Sequence, residues 1–323
     1  MTETTKAEVA DSIGHKILRS LSWCVVRVPR SRVRAFAPVL LFALFLIFFF
    51  GLTFALHLNG SAALPTDPGA IDELRARIFW GASFAALGVV TAWSLAVAGA
   101  TMTTYLAPRA VGLMVIVTVV AAFALGMSMT YVGSAAQTLL FKLQQATNIQ
   151  ITGLTACMNV VAASSIVLFA VCCVALGSMP QRPLTATDLR QRIFDLRVLL
   201  FSSAALLVTG VAEIFFLFDW PRHVAALAAD PLSTLAPTIS KLAGALYTFL
   251  LAVFYVPVAL VHERWRLDLQ NQLGVGNESF DSDAWEKKTG LATTAANSFS
   301  EIAALVSPLL TAIGVPFLEI HSK

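Results

Sequence analysis

Charged residues are scarce in this chain of 323 residues, since Asp, Glu, Lys and Arg together make up only 13% of it. Soluble domains carry roughly 25% charged residues, and a water-soluble fold of this size cannot cover its surface with so few. Hydrophobic residues reach 57%, and the mean hydropathy is +0.77. The composition therefore excludes an ordinary soluble domain and predicts a polytopic membrane protein.

Cysteine is also scarce. The four residues are Cys24, Cys157, Cys172 and Cys173. Three lie in apolar runs, and the spacing fits neither a secreted disulfide framework nor a metal site. We interpret all four as small buried side chains and predict neither a metal nor a cofactor.

Catalytic motifs are missing as well. Gly81-Ala82-Ser83-Phe84 resembles the serine box of rhomboid proteases, but it lacks the following Gly, and no His lies in a later span to act as base. His262-Glu263 lacks the second His of a zinc-protease helix, and no Walker A loop occurs. The net charge of +3 is too small to indicate nucleic-acid binding. We therefore expect a protein that is not an enzyme.

Long apolar runs are what the chain does contain, and about 20 residues suffice for one helical crossing. Six runs qualify: Pro38–Leu58, Ile78–Ala100, Ala110–Val132, Thr152–Gly177, Val198–Trp220 and Leu242–His262. In the second run, Gly88, Ala92, Ala96 and Ala100 recur every four residues. Small residues at this spacing let helices approach closely, so we place this helix inside an all-α bundle of six transmembrane helices.

The chain divides into three predicted regions. Residues 1–36 form a basic amphipathic helix on the cytoplasmic side. Residues 37–262 form the six-span transmembrane domain. Residues 263–323 form a cytoplasmic helical tail.

The tail contains an apolar run, 302–318, that is short for a span and is interrupted by Pro308 and Pro316. We favour an amphipathic cytoplasmic helix over a seventh span. The apolar face of this helix needs a partner, such as a second subunit. Its members are Ile302, Leu305, Leu309 and Ile313.

Lys and Arg divide unevenly between the two faces of the membrane. With six spans, 17 of the 22 fall on the face of the N-terminal segment. Cytoplasmic loops carry the excess of positive charge. Both termini are therefore predicted to be cytoplasmic, and the protein to be integral to a bacterial inner membrane.

Glu213, in the run Val198–Trp220, is the only acid well inside any of the six apolar runs. Ionisable groups within a membrane are normally paired, exposed to a wet cavity, or functional. One hypothesis is a pore or vestibule carboxylate, repeated around an oligomer as a ring that favours cations, with Asp219 as an outer ring. The alternative is structural: Glu213 accepts a hydrogen bond from a neighbouring Ser or Thr, or the acids pair with Arg222 or Lys241.

Further candidates follow from polarity and charge. Asn159, Ser128 and Thr130 are candidates to line the vestibule, although membrane amides often only hold helices together. The cytoplasmic basic residues are candidates to receive an anionic regulator such as a nucleotide, or else they serve topology alone. They include Arg30, Arg32, Arg34, Arg190 and Arg192.

These features favour an oligomeric membrane pore or ion-channel subunit, a homo-oligomer in lipid that is gated by a cytoplasmic nucleotide or protein regulator. In architecture it resembles the multi-pass inner-membrane effectors of bacterial anti-phage defence systems, which implies a pore that breaches the membrane on a nucleotide signal. One alternative is a small secondary transporter, which the lack of an inverted repeat disfavours. Another is a scaffold that docks a soluble partner through Ile302–Phe317.

Overall fold

The computed structural model describes residues 67–106, 116–117, 120–121, 134–179, 183–274, 281–292 and 295–320, all within the unit Phe45–Lys323. In chain order we label its helices α1 Pro68–Tyr105, α2 Ser134–Thr147, α3 Ile151–Gly177, α4 Ala186–Asp219, α5 Ala236–Gly274, α6 Ser282–Thr289 and α7 Ala295–Ile320. Two 3-10 turns, Trp220–His223 and Pro231–Thr234, connect α4 to α5. No strand occurs among these residues.

Five helices are long and apolar enough to cross a membrane. They are Pro68–Tyr105, Ile151–Gly177, Ala186–His223, Ala236–Leu273 and Ser298–Pro316. The predicted all-helical membrane class is thus confirmed, and four of the six predicted spans lie within these helices. The predicted helix of residues 1–36, the span Pro38–Leu58 and all but four residues of Ala110–Val132 lie outside the described residues.

Helix α4 is central to the bundle, because it packs against α1, α3, α5 and α7. Its start is fixed by a capping box, in which the side chains of Thr185 and Asp188 each accept a hydrogen bond from the other's backbone N–H. We call the end of the bundle where α4 begins the Arg192 end, and the end where it finishes the Trp220 end. A separate hydrophobic cluster fills each end.

Contacts at the two ends fix the direction of each helix. The indole rings of Trp80, early in α1, and Trp220 lie 5.3 Å apart, whereas Tyr105, at the last turn of α1, donates to Asp195 at 2.7 Å. Helices α3 and α5 run the same way, since Ile151 and Ala236 belong to the cluster at the Trp220 end. Helices α4 and α7 run in the opposite direction.

Helix α1 packs into the bundle through only part of its small-residue surface, and Gly81 and Ala85 are buried there. Gly88 is buried, whereas Ala92, Ala96 and Ala100 are exposed. Hydroxyl groups form the contacts between the helices, because Ser94 on α1 donates to the Ser202 carbonyl at 3.0 Å and Ser165 on α3 donates to the Thr91 carbonyl at 3.4 Å. The close approach therefore depends on hydrogen bonds from one helix to the backbone of another.

Helix α7 contains the apolar run of the predicted tail, and it is one of the helices long and apolar enough to cross a membrane. It lies along α4 and α5, and Val315 reaches the cluster at the Trp220 end. Gly244 on α5 makes this packing possible: a Cβ atom there would lie 2.5 Å from the Ala312 Cβ and 2.7 Å from the Pro308 carbonyl oxygen. Small residues form this contact, and the two prolines do not prevent the helix from running the length of the bundle.

Candidate functional site

Glu213 lies on α4 towards the Trp220 end, and only 4% of it is exposed. The indole Nε1 of Trp80, on α1, donates a hydrogen bond to its Oε1 at 3.1 Å. Trp80 is itself fully buried and packs on the rings of Trp220 and Phe84, at 5.3 and 5.5 Å between ring centroids. The partner of Glu213 is thus an indole held in place by other aromatic rings, not the Ser or Thr expected of a structural carboxylate.

A cavity of about 30 Å³ adjoins Glu213, and residues of α1, α3, α4 and α5 line it. Most of the lining is apolar, and the polar side chains are Glu213, Asn159 and Tyr247. The structure therefore brings together Glu213 and Asn159, which the sequence selects separately. Tyr247 completes the group, and its ring lies beside Gly210, where an added Cβ atom would make an ordinary van der Waals contact at 3.7 Å.

The volume and chemistry of this cavity suit water and a small charged species. A cavity needs about 10–15 Å³ to hold one water molecule, so this one has room for one or two. A carboxylate, an amide and a phenol supply hydrogen-bonding groups. Within the described ranges, no group of three or more His, Cys, Asp or Glu side chains is placed to hold a metal ion.

Asp219, the second predicted pore acid, is paired within its own chain. Its carboxylate lies 3.0 Å from Arg222 Nη1 and 3.3 Å from His223 Nε2. Asp219 is buried, and both partners belong to the 3-10 turn that follows α4. The pairing with Arg222 is the rival that the sequence sets against an outer acidic ring, and Asp219 holds the turn.

Arg192, a predicted contact for an anionic regulator, is buried and fully engaged. Its Nη1 donates to the carbonyl oxygens of Leu176, at 2.9 Å, and Ser178, at 3.1 Å. Its guanidinium also lies over the rings of Tyr105 and Trp265, at 5.0 and 5.5 Å. Arg192 thus satisfies the carbonyl groups at the end of α3, as cations at helix C-termini do. An anion that bound Arg192 would first have to displace these contacts.

A second charged group at the Arg192 end joins α7 to the bundle. Glu301 accepts from Arg197 Nε on α4 at 2.5 Å and from the Tyr255 hydroxyl on α5 at 2.7 Å. Helix α7 begins at Ala295, so Glu301 lies within the helix and not at its start. Glu301 instead connects three helices.

The predicted partner face of α7 is divided. Ile302 and Ile313 are 59% and 45% exposed, which leaves them available to lipid or to a partner. Leu305 packs against the cluster at the Arg192 end, and the Leu309 backbone lies close to Gly244. Only half of this face therefore remains open.

Among the other predicted residues, Arg190 is exposed, and its guanidinium lies close to Gly290, which ends α6 with a φ of +71°. Ser128, Thr130, Arg30, Arg32 and Arg34 lie outside the described residues. No family model, curated protein or solved structure matches this chain. Its function is therefore inferred from its own residues.

Proposed function

We propose that this protein is a gated cation pore or channel whose path runs past Glu213. The observation that carries the proposal is the buried carboxylate, which adjoins a water-sized cavity together with Asn159 and Tyr247. A carboxylate at membrane depth attracts cations and repels anions. The small volume of the cavity and the burial of Glu213 correspond to the closed state of such a path.

The path passes within one chain and does not require an axis shared by several. Glu213 is buried by helices of its own chain, and Asp219 is occupied by Arg222 and His223. An oligomer, which the open face of α7 favours, then carries one path in each subunit. In this proposal the selectivity for cations comes from Glu213 within each subunit, and not from a ring of acids around a shared axis.

The topology that we propose has seven spans, with α7 as the last. Helix α7 runs from the Arg192 end to the Trp220 end, and the excess of Arg near the Arg192 end makes that end cytoplasmic. The C-terminal end of α7 then lies on the outer side. A reporter that is active only outside the cytoplasm, fused after Lys323, should be active, and an inactive reporter would place α7 on the cytoplasmic surface.

The proposal keeps an anionic cytoplasmic signal, as in the anti-phage membrane effectors that the architecture resembles. The residue proposed to contact this signal is Arg190. The exposed Arg190 is available to such a ligand, whereas Arg192 is occupied by backbone carbonyls. Among the described residues, the proposed ligand site is therefore centred on Arg190.

A small secondary transporter is the second candidate. The enclosure of Glu213 in a cavity between four helices of one chain favours it, since carriers hold their substrate in an occluded site near the membrane midplane. Flux that saturates with substrate concentration and lacks single-channel currents would identify a carrier.

The experiment is cation flux into liposomes that contain the purified protein. Wild type should carry cations above the level of protein-free liposomes, and Glu213→Gln should abolish this flux. Glu301→Gln is the matched control, because it makes the same change in another membrane helix, and it should retain the flux. Equal flux in wild type and Glu213→Gln would overturn the role of Glu213.

A further inference from the structure

Among the described residues, no formal positive charge pairs with Glu213. The groups that face it are the Trp80 indole from α1, Asn159 across the cavity from α3 and the Tyr247 phenol from α5, all neutral at neutral pH. None of the ion pairs in the described part of the chain includes Glu213. The carboxylate therefore lacks the cationic partner that a buried anion normally has.

A buried anion without a partner is expensive. Burying an ion in a protein removes it from water at a large cost in free energy, and one hydrogen bond from an indole offsets only part of that cost. One unit of positive charge at the carboxylate would remove the imbalance. A divalent ion would leave an excess positive charge in the same apolar surroundings.

The number of available ligands distinguishes a proton from a metal ion. Hard metal cations take about six or more oxygen ligands. Beside the second carboxylate oxygen, the cavity presents an amide and a phenol, and it has room for one or two water molecules. The remaining lining is apolar side chains such as Leu87, Ile166 and Leu206. This set is too small for a metal ion but sufficient for a proton and the water that delivers it.

We propose that Glu213 is an exchangeable proton-binding site and that the cation passed at this site is the proton. In the uptake step, a hydronium ion in the cavity transfers its proton to Oε2, the O–H bond forms there, and water remains. The reverse step returns the proton to water. Trp80 continues to donate to Oε1 in both states, which keeps Oε2 directed to the cavity. The inference rests on the proposed function in that the proton is the transported ion.

The binding step is tested by infrared difference spectroscopy of the reconstituted protein between alkaline and acidic pH. Acidification should produce the carbonyl stretch of a protonated carboxyl group, which shifts in D₂O. Subtracting the Glu213→Gln spectrum should isolate one such band, and Glu213→Asp should move it to another frequency. Subtracting the Glu301→Gln spectrum should leave the Glu213 band in place. Identical spectra for wild type and Glu213→Gln would overturn the proton site.

The transport step is tested in the same liposomes, loaded with a pH-sensitive dye and driven by a K⁺ diffusion potential. Wild type should acidify the lumen, and Glu213→Gln should slow acidification by about tenfold or more, while Glu301→Gln should not. Sodium flux that depends on Glu213, without the infrared band, would refute the proton inference and keep the proposed function. The band without flux of any ion would refute the proposed function and keep the proton site, and absence of both would refute both.

Discussion

The two ends of the bundle hold their acidic side chains in different ways. At the Arg192 end, Glu301 accepts from Arg197 and from Tyr255, so its charge is matched by a cation and a hydroxyl group. Towards the Trp220 end, Glu213 accepts from the Trp80 indole and adjoins a small cavity. Both acids lie on helices long and apolar enough to cross a membrane, yet only Glu301 has a cationic partner among the described residues.

This difference separates structural charges from a functional one. The charges at the Arg192 end connect α3, α4, α5 and α7, so their removal should destabilise the fold. A neutral hydrogen-bond acceptor at position 213 would accept from Trp80 equally well, so the contact between α1 and α4 does not need the charge of Glu213. A group whose ionisation opposes folding and which adjoins a cavity is a candidate for function.

The largest effect on stability is expected at Arg192. Arg192→Ala removes the donor to the Ser178 carbonyl oxygen, leaves the Leu176 carbonyl oxygen with His262 Nε2 alone, and removes two aromatic contacts. The free energy of unfolding should fall by about 3 kcal/mol, measured by denaturant unfolding in detergent.

Arg264→Ala is the matched control, because Arg264 is exposed on α5 at the same end. It should change the free energy of unfolding by less than about 0.5 kcal/mol. If the two variants were equally stable, Arg192 would not be structural, and the difference drawn between the two ends would fail.

A smaller effect is expected at the contact between α5 and α7. Gly244→Ala places a Cβ atom 2.5 Å from the Ala312 Cβ and 2.7 Å from the Pro308 carbonyl. Overpacking of this kind costs about 1–3 kcal/mol, and separation of α7 would also weaken the Glu301 contacts. Thermal unfolding should show the loss, whereas the Glu213 cavity, which α7 does not line, should keep its function.

Gly314→Ala is the control for that variant. A Cβ atom at Gly314 meets nothing within 4 Å, and Ala is favoured over Gly in a helix by about 1 kcal/mol. Gly314→Ala should therefore be as stable as wild type or more stable. A stable Gly244→Ala protein would show that α7 does not pack closely on α5.

The smallest effect is expected at Trp80. Trp80→Phe keeps an aromatic ring between Phe84 and Trp220 but removes the donor to Glu213. Loss of one hydrogen bond to a buried group costs about 1–2 kcal/mol, so the fold should survive. Proton flux through the variant should change while its thermal unfolding changes little. A large loss of stability with normal flux would make Trp80 structural only.

The sequence identifies Glu213 but not its surroundings. An acid in an apolar run is conspicuous because lipid replaces water as the solvent there. The length and apolar character of these runs also predict four of the five described candidate spans. Trp80 and Tyr247 are ordinary members of such runs, and only the packing of α1 and α5 on α4 brings them to Glu213. The neighbours of Glu213 are therefore determined by contacts between helices, which the sequence of a single helix does not reveal.

Arg192 and α7 show why the sequence alone leaves some roles open. An Arg at a helix end can set the membrane topology, bind a ligand or cap the carbonyl groups of another helix. The sequence does not show which of these roles Arg192 has, because the carbonyl groups it contacts belong to the end of α3. The two prolines of α7 suggest a broken helix. The backbone at Pro308 nevertheless packs closely on α5, because Gly244 of α5 has no side chain at that contact.

The central claim is that the charge of Glu301 stabilises the fold and the charge of Glu213 does not. The direct test is thermal unfolding of Glu213→Gln and Glu301→Gln beside wild type, in one detergent at neutral pH. Gln at position 213 still accepts a hydrogen bond from Trp80, so this variant should unfold at the wild-type temperature or above it. Glu301→Gln should unfold at a lower temperature, because Arg197 loses its charged partner. The claim is contradicted if Glu213→Gln is destabilised as much as Glu301→Gln.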